Sequence, residues 1–179
     1  MCQEVKQADS AYIAGTYGRF DAVMSKGEGA HYEGPDGKRY IDFGTGIGVT
    51  LFGACDPDWV AAVTHQLTTL GHTSNLYYTE PQTQLAKLLC ERTGMKKVFF
   101  GNSGAEANEC AIKAARKWSE EKKGKEYATI ITLKNSFHGR TITTLAATGQ
   151  DVFHHDFPPL TEGFVYAEPN DLANLEQLI

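Results

Sequence analysis

The residues GNSGAEAN, at positions 101–108, are the most informative part of the sequence about the fold. It follows a short apolar run, VFF at residues 98–100, and opens a helix-compatible segment that extends from about Ser103 to Lys122. A second apolar run, TIITL at residues 129–133, comes next. Because the pattern strand, helix, strand is typical of a crossover unit in a parallel sheet, we predict an α/β fold with flanking helices.

The start of that helix can hold a phosphate. A helix N-terminus offers unpaired N–H groups and a charge of roughly +0.5 elementary units. Ser103 adds a hydroxyl, and Gly104 has no side chain that would block a close approach. The same letters have a second explanation, since Ser103 and Glu106 match a capping box, in which the two side chains satisfy the helix-end donors. Taken alone, simple capping is the commoner of the two.

A second candidate segment, NSFHGRT at residues 135–141, directly follows the second apolar run. Ligands of open parallel sheets bind at the carboxyl ends of strands, so both segments point to one cleft. Phe137 can stack on a flat ring, and Arg140 can grip a carboxylate through two parallel N–H bonds. Taken singly, a phenylalanine is usually core and an arginine usually a surface charge. For His138 we predict a structural role, with a neutral imidazole hydrogen-bonded to the backbone.

Local signals predict the remaining elements. Turn residues at 35–37 between Tyr32 and Tyr40 indicate a small hairpin. Asp56 and Pro57 indicate the capped start of a helix, and Gly71 indicates its end. The other predictions are a helix from about residue 81 to Gly94 with Leu85, Leu88 and Leu89 facing inward, a helix at 141–147, a strand at 164–166 and an amphipathic helix from residue 171.

Composition bounds the class of protein. The chain has 179 residues, 41% hydrophobic content and a formal net charge of −5, as ordinary globular proteins do. Scattered basic residues and this charge argue against nucleic acid and favour a small-molecule ligand. The four cysteines show no metal-ligand spacing, which indicates free thiols in a reducing compartment and no metal. No signal peptide or run long enough to cross a membrane is present, so we predict a cytoplasmic protein without membrane contact.

Four longer stretches carry a resemblance to a known family. They read GEGAHYEGPDGKRYIDFGTGIGV, HTSNLYYTEP, FFGNSGAEANECAIKAARKW and SFHGRTITTLAATGQ. In these residues and their order the chain resembles the class III aminotransferases, which use pyridoxal 5′-phosphate, and within them the acetylornithine type. Two departures occur: ACDP at residues 54–57 stands where the family usually has Gly-His-x-His-Pro, and Asp21 stands where proline is common. Neither removes a cofactor contact.

The resemblance implies a fold and a set of site residues. The fold is that of fold type I pyridoxal-phosphate-dependent transferases, with residues 1–52 as the N-terminal segment of a small domain and dimer arm, and residues 53–179 as the first part of a large, incomplete cofactor domain. The implied cofactor-binding residues are Ser103, Gly104 and Ala105 at the phosphate and Phe137 at the pyridine ring. The implied substrate-binding residues are Arg140 at the carboxylate and Tyr17 and Ile47 beside it.

The resemblance also implies a reaction and a partner. An amino group passes from N2-acetyl-L-ornithine to 2-oxoglutarate, in arginine biosynthesis, in a homodimer whose interface lies near residues 72–81. The Schiff-base lysine and the aspartate that pairs with the pyridine nitrogen belong beyond Ile179, so we predict that this chain alone is inactive. A chain that stops in its last helix is also expected to leave sheet edges and apolar faces uncovered.

Three other functions remain open. A sister transaminase for ornithine, succinyldiaminopimelate or 4-aminobutyrate would carry the same cofactor residues. A noncatalytic nucleotide- or phosphate-binding module would use only the helix start at Ser103. A structural fragment would dimerise through residues 72–78, which include Tyr77 and Tyr78.

Overall fold

A computed structural model describes residues 1–179, and the chain divides into two compact units, residues 1–78 and residues 79–179. The α/β class with a parallel sheet is confirmed. The domain boundary that the resemblance implies after residue 52 stays a prediction.

The first unit contains α1 (Cys2–Tyr12), β1 (Lys26–Glu28), β2 (His31–Glu33), β3 (Arg39–Ile41), α2 (Thr45–Gly48) and α3 (Pro57–Leu70). The second contains α4 (Glu80–Thr93), α5 (Gly104–Lys122), β4 (Ile130–Leu133), α6 (Ile142–Ala147), a 3-10 turn (Asp151–Phe153), β5 (Phe164–Ala167) and α7 (Leu172–Leu178).

The predicted hairpin forms in the first unit. β2 and β3 are antiparallel, with Tyr32 opposite Tyr40, and β1 pairs with the other edge of β2. The N–H of Gly37 donates to the carbonyl of Gly34 at 3.0 Å, and Gly37 has a φ of +76°, which suits a residue without a side chain. The turn chemistry therefore sets the hairpin as expected.

Helix α3 begins and ends where the local signals predict. The carboxylate of Asp56 accepts a hydrogen bond from the N–H of Trp59 at 2.9 Å, Pro57 occupies the first turn, and Gly71 follows the last residue. Its apolar stripe is exposed, as Leu67 at 64% exposure illustrates.

Helix α4 ends at Gly94 as predicted, with Gly94 in the left-handed conformation at φ +73°. The prediction that its leucines face inward is wrong for this chain. Leu85, Leu88 and Leu89 all remain exposed, because no element of the unit covers that face of the helix. Periodicity indicated the apolar face correctly but not whether anything would lie against it.

The parallel sheet of the second unit consists of β4 and β5, with Ile131 opposite Val165. Helix α6 lies between them in sequence, and its residues 144–147 are buried together with Ala167. The hydroxyl of Tyr166 donates to the carbonyl of Ala146 at 2.6 Å, and burial raises the pKa of Tyr166, which keeps the phenol protonated as a donor. The core of this unit therefore sits between α6 and the sheet.

The strand predicted at residues 98–100 does not form. These residues have no ladder partner, and the parallel pair is β4 and β5 instead of residues 98–100 and β4. A strand is stabilised by a neighbouring strand, and no segment of this chain supplies one here.

Two observations concern the chain as a whole. None of its helices combines the length and the apolar character that crossing a membrane requires. The four cysteines are unpaired, and no three or more histidine, cysteine or acidic side chains converge as metal ligands would.

Candidate functional site

The start of α5 is capped by its own side chains. The Oγ of Ser103 accepts a hydrogen bond from the N–H of Glu106 at 3.2 Å. The carboxylate of Glu106 accepts from the N–H of Asn102 and, at 3.3 Å, from the amide Nδ2 of the same residue. The serine bond of a capping box is therefore present. The glutamate bond differs from the usual one, because the carboxylate of Glu106 accepts from the N–H of Asn102 and not from that of Ser103.

This cap leaves two donors free for an anion. The N–H groups of Gly104 and Ala105 make no hydrogen bond to any acceptor of the chain. A Cβ added at Gly104 would meet no atom within 4 Å, so the space above these donors is open. Capping and phosphate binding are therefore compatible, because the cap uses the third N–H of the helix and a phosphate would use the first two.

The loop of residues 137–140 lies against this helix start. The amide Nδ2 of Asn108 donates to the carbonyl of His138 at 2.8 Å, and the hydroxyl of Thr141 donates to the carboxylate of Glu109 at 2.5 Å. At Gly139 an added Cβ would lie 2.7 Å from the Cβ of Ala105, so the two main chains are in close contact. The structure thus brings together the two segments that we predicted to share a cleft.

Phe137 and Arg140 form an aromatic and cationic cluster on this loop. The ring of Phe137 is 55% exposed and meets Phe153 edge-on, with 6.3 Å between centroids. The guanidinium carbon of Arg140 lies 5.6 Å from the centroid of Phe137 and 4.9 Å from that of Phe153. Arg140 takes part in no ion pair. Its donors are therefore held in place by two rings and are free to meet a carboxylate.

The sequence did not predict how His138 is held in this cluster, nor that Phe153 belongs to it. His138 is structural, but through its main chain: its N–H donates to the Oγ1 of Thr148 at 3.0 Å, while its imidazole makes no hydrogen bond. Phe153 was missed altogether. It lies in the 3-10 turn, and no spacing in the sequence relates it to Arg140.

Tyr17 and Ile47 belong to the first unit. Tyr17 is exposed, and Ile47 is almost fully exposed. Segment α2 is a left-handed turn and not a regular helix, because Thr45, Gly46, Ile47 and Gly48 all have positive φ, which is costly for a β-branched residue such as Ile47. The substrate-side role of both residues stays a prediction.

The sequence and the fold identify the class of this protein. The sequence profile of the class III aminotransferases matches residues 12–178. The chain belongs to this family, whose members depend on pyridoxal 5′-phosphate.

Individual relatives narrow the comparison. The chain is 57% identical over 169 residues to the acetylornithine aminotransferase of Haemophilus ducreyi and 48% identical over 171 residues to that of Methanocaldococcus jannaschii. These alignments cover 94% and 96% of this chain but 43% of each relative. The chain therefore spans less than half the length of the relatives that it matches.

Solved structures of related enzymes have the same fold. The ornithine aminotransferase of Toxoplasma gondii superimposes with a TM-score of 0.93 at 30% identity, covering 99% of this chain and 42% of that chain. A second structure of this enzyme, with a TM-score of 0.91 at 31% identity, is described as having pyridoxal phosphate at partial occupancy in the active site; the superposition covers 98% of this chain and 42% of that chain.

Proposed function

We propose that this chain supplies the phosphate-binding and ring-stacking part of a pyridoxal-phosphate-dependent transaminase that moves an amino group from N2-acetyl-L-ornithine to 2-oxoglutarate. The observation that carries the proposal is the contact between the start of α5 and the loop of residues 137–140. It joins an open anion site, an exposed aromatic face and a guanidinium without an anionic partner within one unit.

At the α5 N-terminus, the N–H groups of Gly104 and Ala105 bind the cofactor phosphate together with the Ser103 hydroxyl. The Oγ of Ser103 accepts from the N–H of Glu106, which leaves its own proton free to donate to a phosphate oxygen. The partial positive charge of the helix end favours the dianion. Each contact uses a donor that the chain itself leaves unused.

On the neighbouring loop, Phe137 covers one face of the pyridine ring and Arg140 binds the substrate carboxylate. The guanidinium lies against Phe137 and Phe153, which orients its planar fork before the substrate arrives. Tyr17 and Ile47 line the substrate side, as the family resemblance implies.

When bound, the cofactor supplies the electron sink that amino-group transfer requires. The reaction further needs an amine that holds the aldehyde and moves a proton, and an acid partner for the pyridine nitrogen. The resemblance implies that both belong beyond Ile179. The chain therefore binds and orients, and further polypeptide completes the reaction.

The choice of amino donor rests on the relatives. Those at 57% and 48% identity are acetylornithine aminotransferases, whereas the ornithine aminotransferase named above is 30% identical. From the family resemblance we further propose a role in arginine biosynthesis and a homodimer with residues 72–81 near its interface.

Amino-donor profiling tests this proposal. The full-length protein that contains these residues is assayed with 2-oxoglutarate and N2-acetylornithine, ornithine, succinyldiaminopimelate or 4-aminobutyrate. We expect kcat/KM to be highest for N2-acetylornithine by about tenfold or more, the size of discrimination that one well-placed contact gives. Residues 1–179 alone should give no turnover. A preference for another amino donor would contradict N2-acetylornithine as the substrate. Turnover by residues 1–179 alone would contradict the proposal that these residues bind and orient but do not complete the reaction.

A further inference from the structure

Both peptide groups of His138 are held by side chains from other parts of the second unit. Its N–H donates to the Oγ1 of Thr148 at 3.0 Å, and its carbonyl accepts from the Nδ2 of Asn108 at 2.8 Å. Because a peptide group is planar, fixing the atoms on both sides of one residue fixes the direction of the chain before and after it. Phe137 stands directly before this residue, and Arg140 two positions after it.

Thr148 joins the loop to the buried core. It is 0% exposed, and its hydroxyl donates to the carbonyl of Thr144 at 2.9 Å. Since that bond uses the only hydroxyl proton, the oxygen presents a lone pair to the N–H of His138. The acceptor at this position is therefore fixed in place by α6, which is the most deeply buried helix of the unit.

Asn108 joins the same loop to the helix start. It lies four residues after Gly104, about one helical turn from the free N–H groups. A carbonyl oxygen only accepts, so the bond to His138 requires the NH₂ end of the Asn108 side chain. The two anchors thus connect one peptide segment to the helix that carries the anion site and to the core beneath it.

We propose that Asn108 and Thr148 are positioning residues that set the distance between the phosphate donors at the start of α5 and the ring platform at Phe137. This inference rests on the proposed function, because it concerns how one ligand meets both features at once. Without either anchor the helix start still binds a phosphate, but the ring attached to that phosphate no longer lies squarely on Phe137.

Two probes separate these effects. The affinity for inorganic phosphate depends on the helix start alone. The affinity for pyridoxamine 5′-phosphate depends on the helix start and the ring platform together, and this ligand binds without forming a bond to a lysine. Dissociation constants for both are measured by calorimetry on the cofactor-free, full-length protein that contains these residues and on four variants of it. Thr148→Val removes the hydroxyl at nearly constant shape, and Thr148→Ser retains it. Asn108→Ala removes the amide donor. Asn174→Ala removes an asparagine side-chain bond of the same length but opposite direction, in which the Oδ1 of Asn174 accepts from the N–H of Glu168 at 2.8 Å.

We expect Thr148→Val and Asn108→Ala to weaken pyridoxamine 5′-phosphate binding by about tenfold and phosphate binding by less than about twofold, since a lost buried hydrogen bond has effects of this size. Thr148→Ser and Asn174→Ala should leave both constants within about twofold of the protein without substitutions. Equal losses for both probes, or no loss for either, would overturn the positioning role. If Thr148→Val does not fold, Asn108→Ala decides.

The protein without substitutions distinguishes a failure of this inference from a failure of the proposed function. If it binds pyridoxamine 5′-phosphate no more tightly than inorganic phosphate, the ring platform is absent and the proposed function itself fails. If it discriminates between the two probes but the variants do not lose that discrimination, the proposed function stands and only the role of Asn108 and Thr148 is rejected.

Discussion

Two glycines at the site have opposite surroundings. Gly139 has a φ of +132°, and a Cβ there would lie 2.6 Å from the Oγ1 of Thr144 and 2.7 Å from the Cβ of Ala105. Gly104 has no atom within 4 Å of its added Cβ. The first glycine therefore allows two segments to touch, and the second keeps a space open.

We expect Gly139→Ala to lower the free energy of unfolding by about 2–4 kcal/mol, because strain and overpacking act at the same position. Urea unfolding followed by circular dichroism measures the change. Gly104→Ala is the matched control and should change stability by less than about 1 kcal/mol, since the first turn of a helix favours alanine over glycine. Equal stability of the two variants would contradict the close contact between Gly139 and Ala105.

The local surroundings of single residues were predictable where they depend on neighbours in sequence, whereas their roles in binding stay predictions. Ser103 as a cap, Gly104 at an open helix start and Phe137 beside Arg140 all follow from the order of residues at the ends of apolar runs. The bond from Asn108 to His138 and the contact of Phe153 with Arg140 join positions that are distant in sequence or irregularly spaced. No pattern in the sequence encodes such pairs, so only the folded chain reveals them.

Among the elements, helix α3 shows how much a local signal can determine. Its cap at Asp56, its proline in the first turn and its glycine stop lie within 16 residues of one another. We expect Asp56→Ala to destabilise the first turn by about 1 kcal/mol, which corresponds to about fivefold faster amide exchange.

Hydrogen exchange read by mass spectrometry over residues 57–70 measures this effect. Asp58→Ala is the control, because Asp58 lies in the same first turn and shares the favourable charge without making the capping bond. At about 0.15 M salt its exchange should change by no more than about twofold, which is the low end of the range for a charge–dipole contribution, about 0.3 kcal/mol. Equal acceleration in the two variants would show that charge and not capping sets the start of α3.

Elements that need a distant partner were predicted less well. The hairpin at residues 31–41 supplies its own partner through a short turn, and it forms as expected. Residues 98–100 have the composition of a buried strand, yet they form none here because no segment of the chain pairs with them. The same reason explains the exposed leucines of α4: periodicity identifies an apolar face, but the cover comes from elsewhere.

The two units together expose more area than two separate compact units of the same mass would. The chain exposes 14543 Å². A compact monomer of its mass, 19.6 kDa, is expected to expose about 8,600 Å², and two separate compact units of half that mass about 10,000 Å². Apolar side chains contribute to the excess, including Leu67 of α3 and Leu88 of α4. Apolar faces of this kind are usually covered in a complete fold.

An uncovered region also lies beside the sheet. A cavity of about 420 Å³ runs between α5 and β4, and the buried Oγ1 of Thr132 in its wall has no hydrogen-bond partner. A buried hydroxyl without a partner is unusual in a complete fold. This agrees with relatives that are more than twice as long as this chain.

In the proposed site, the start of α5 and the loop of residues 137–140 bind one ligand together. The measurement that tests this most directly is an amide proton–nitrogen NMR titration of the cofactor-free, full-length protein that contains these residues with pyridoxamine 5′-phosphate. We expect the signals of Gly104 and Ala105 to shift together with those of His138 to Arg140, at a single midpoint concentration. Shifts confined to one of the two segments, or two different midpoints, would contradict a common site.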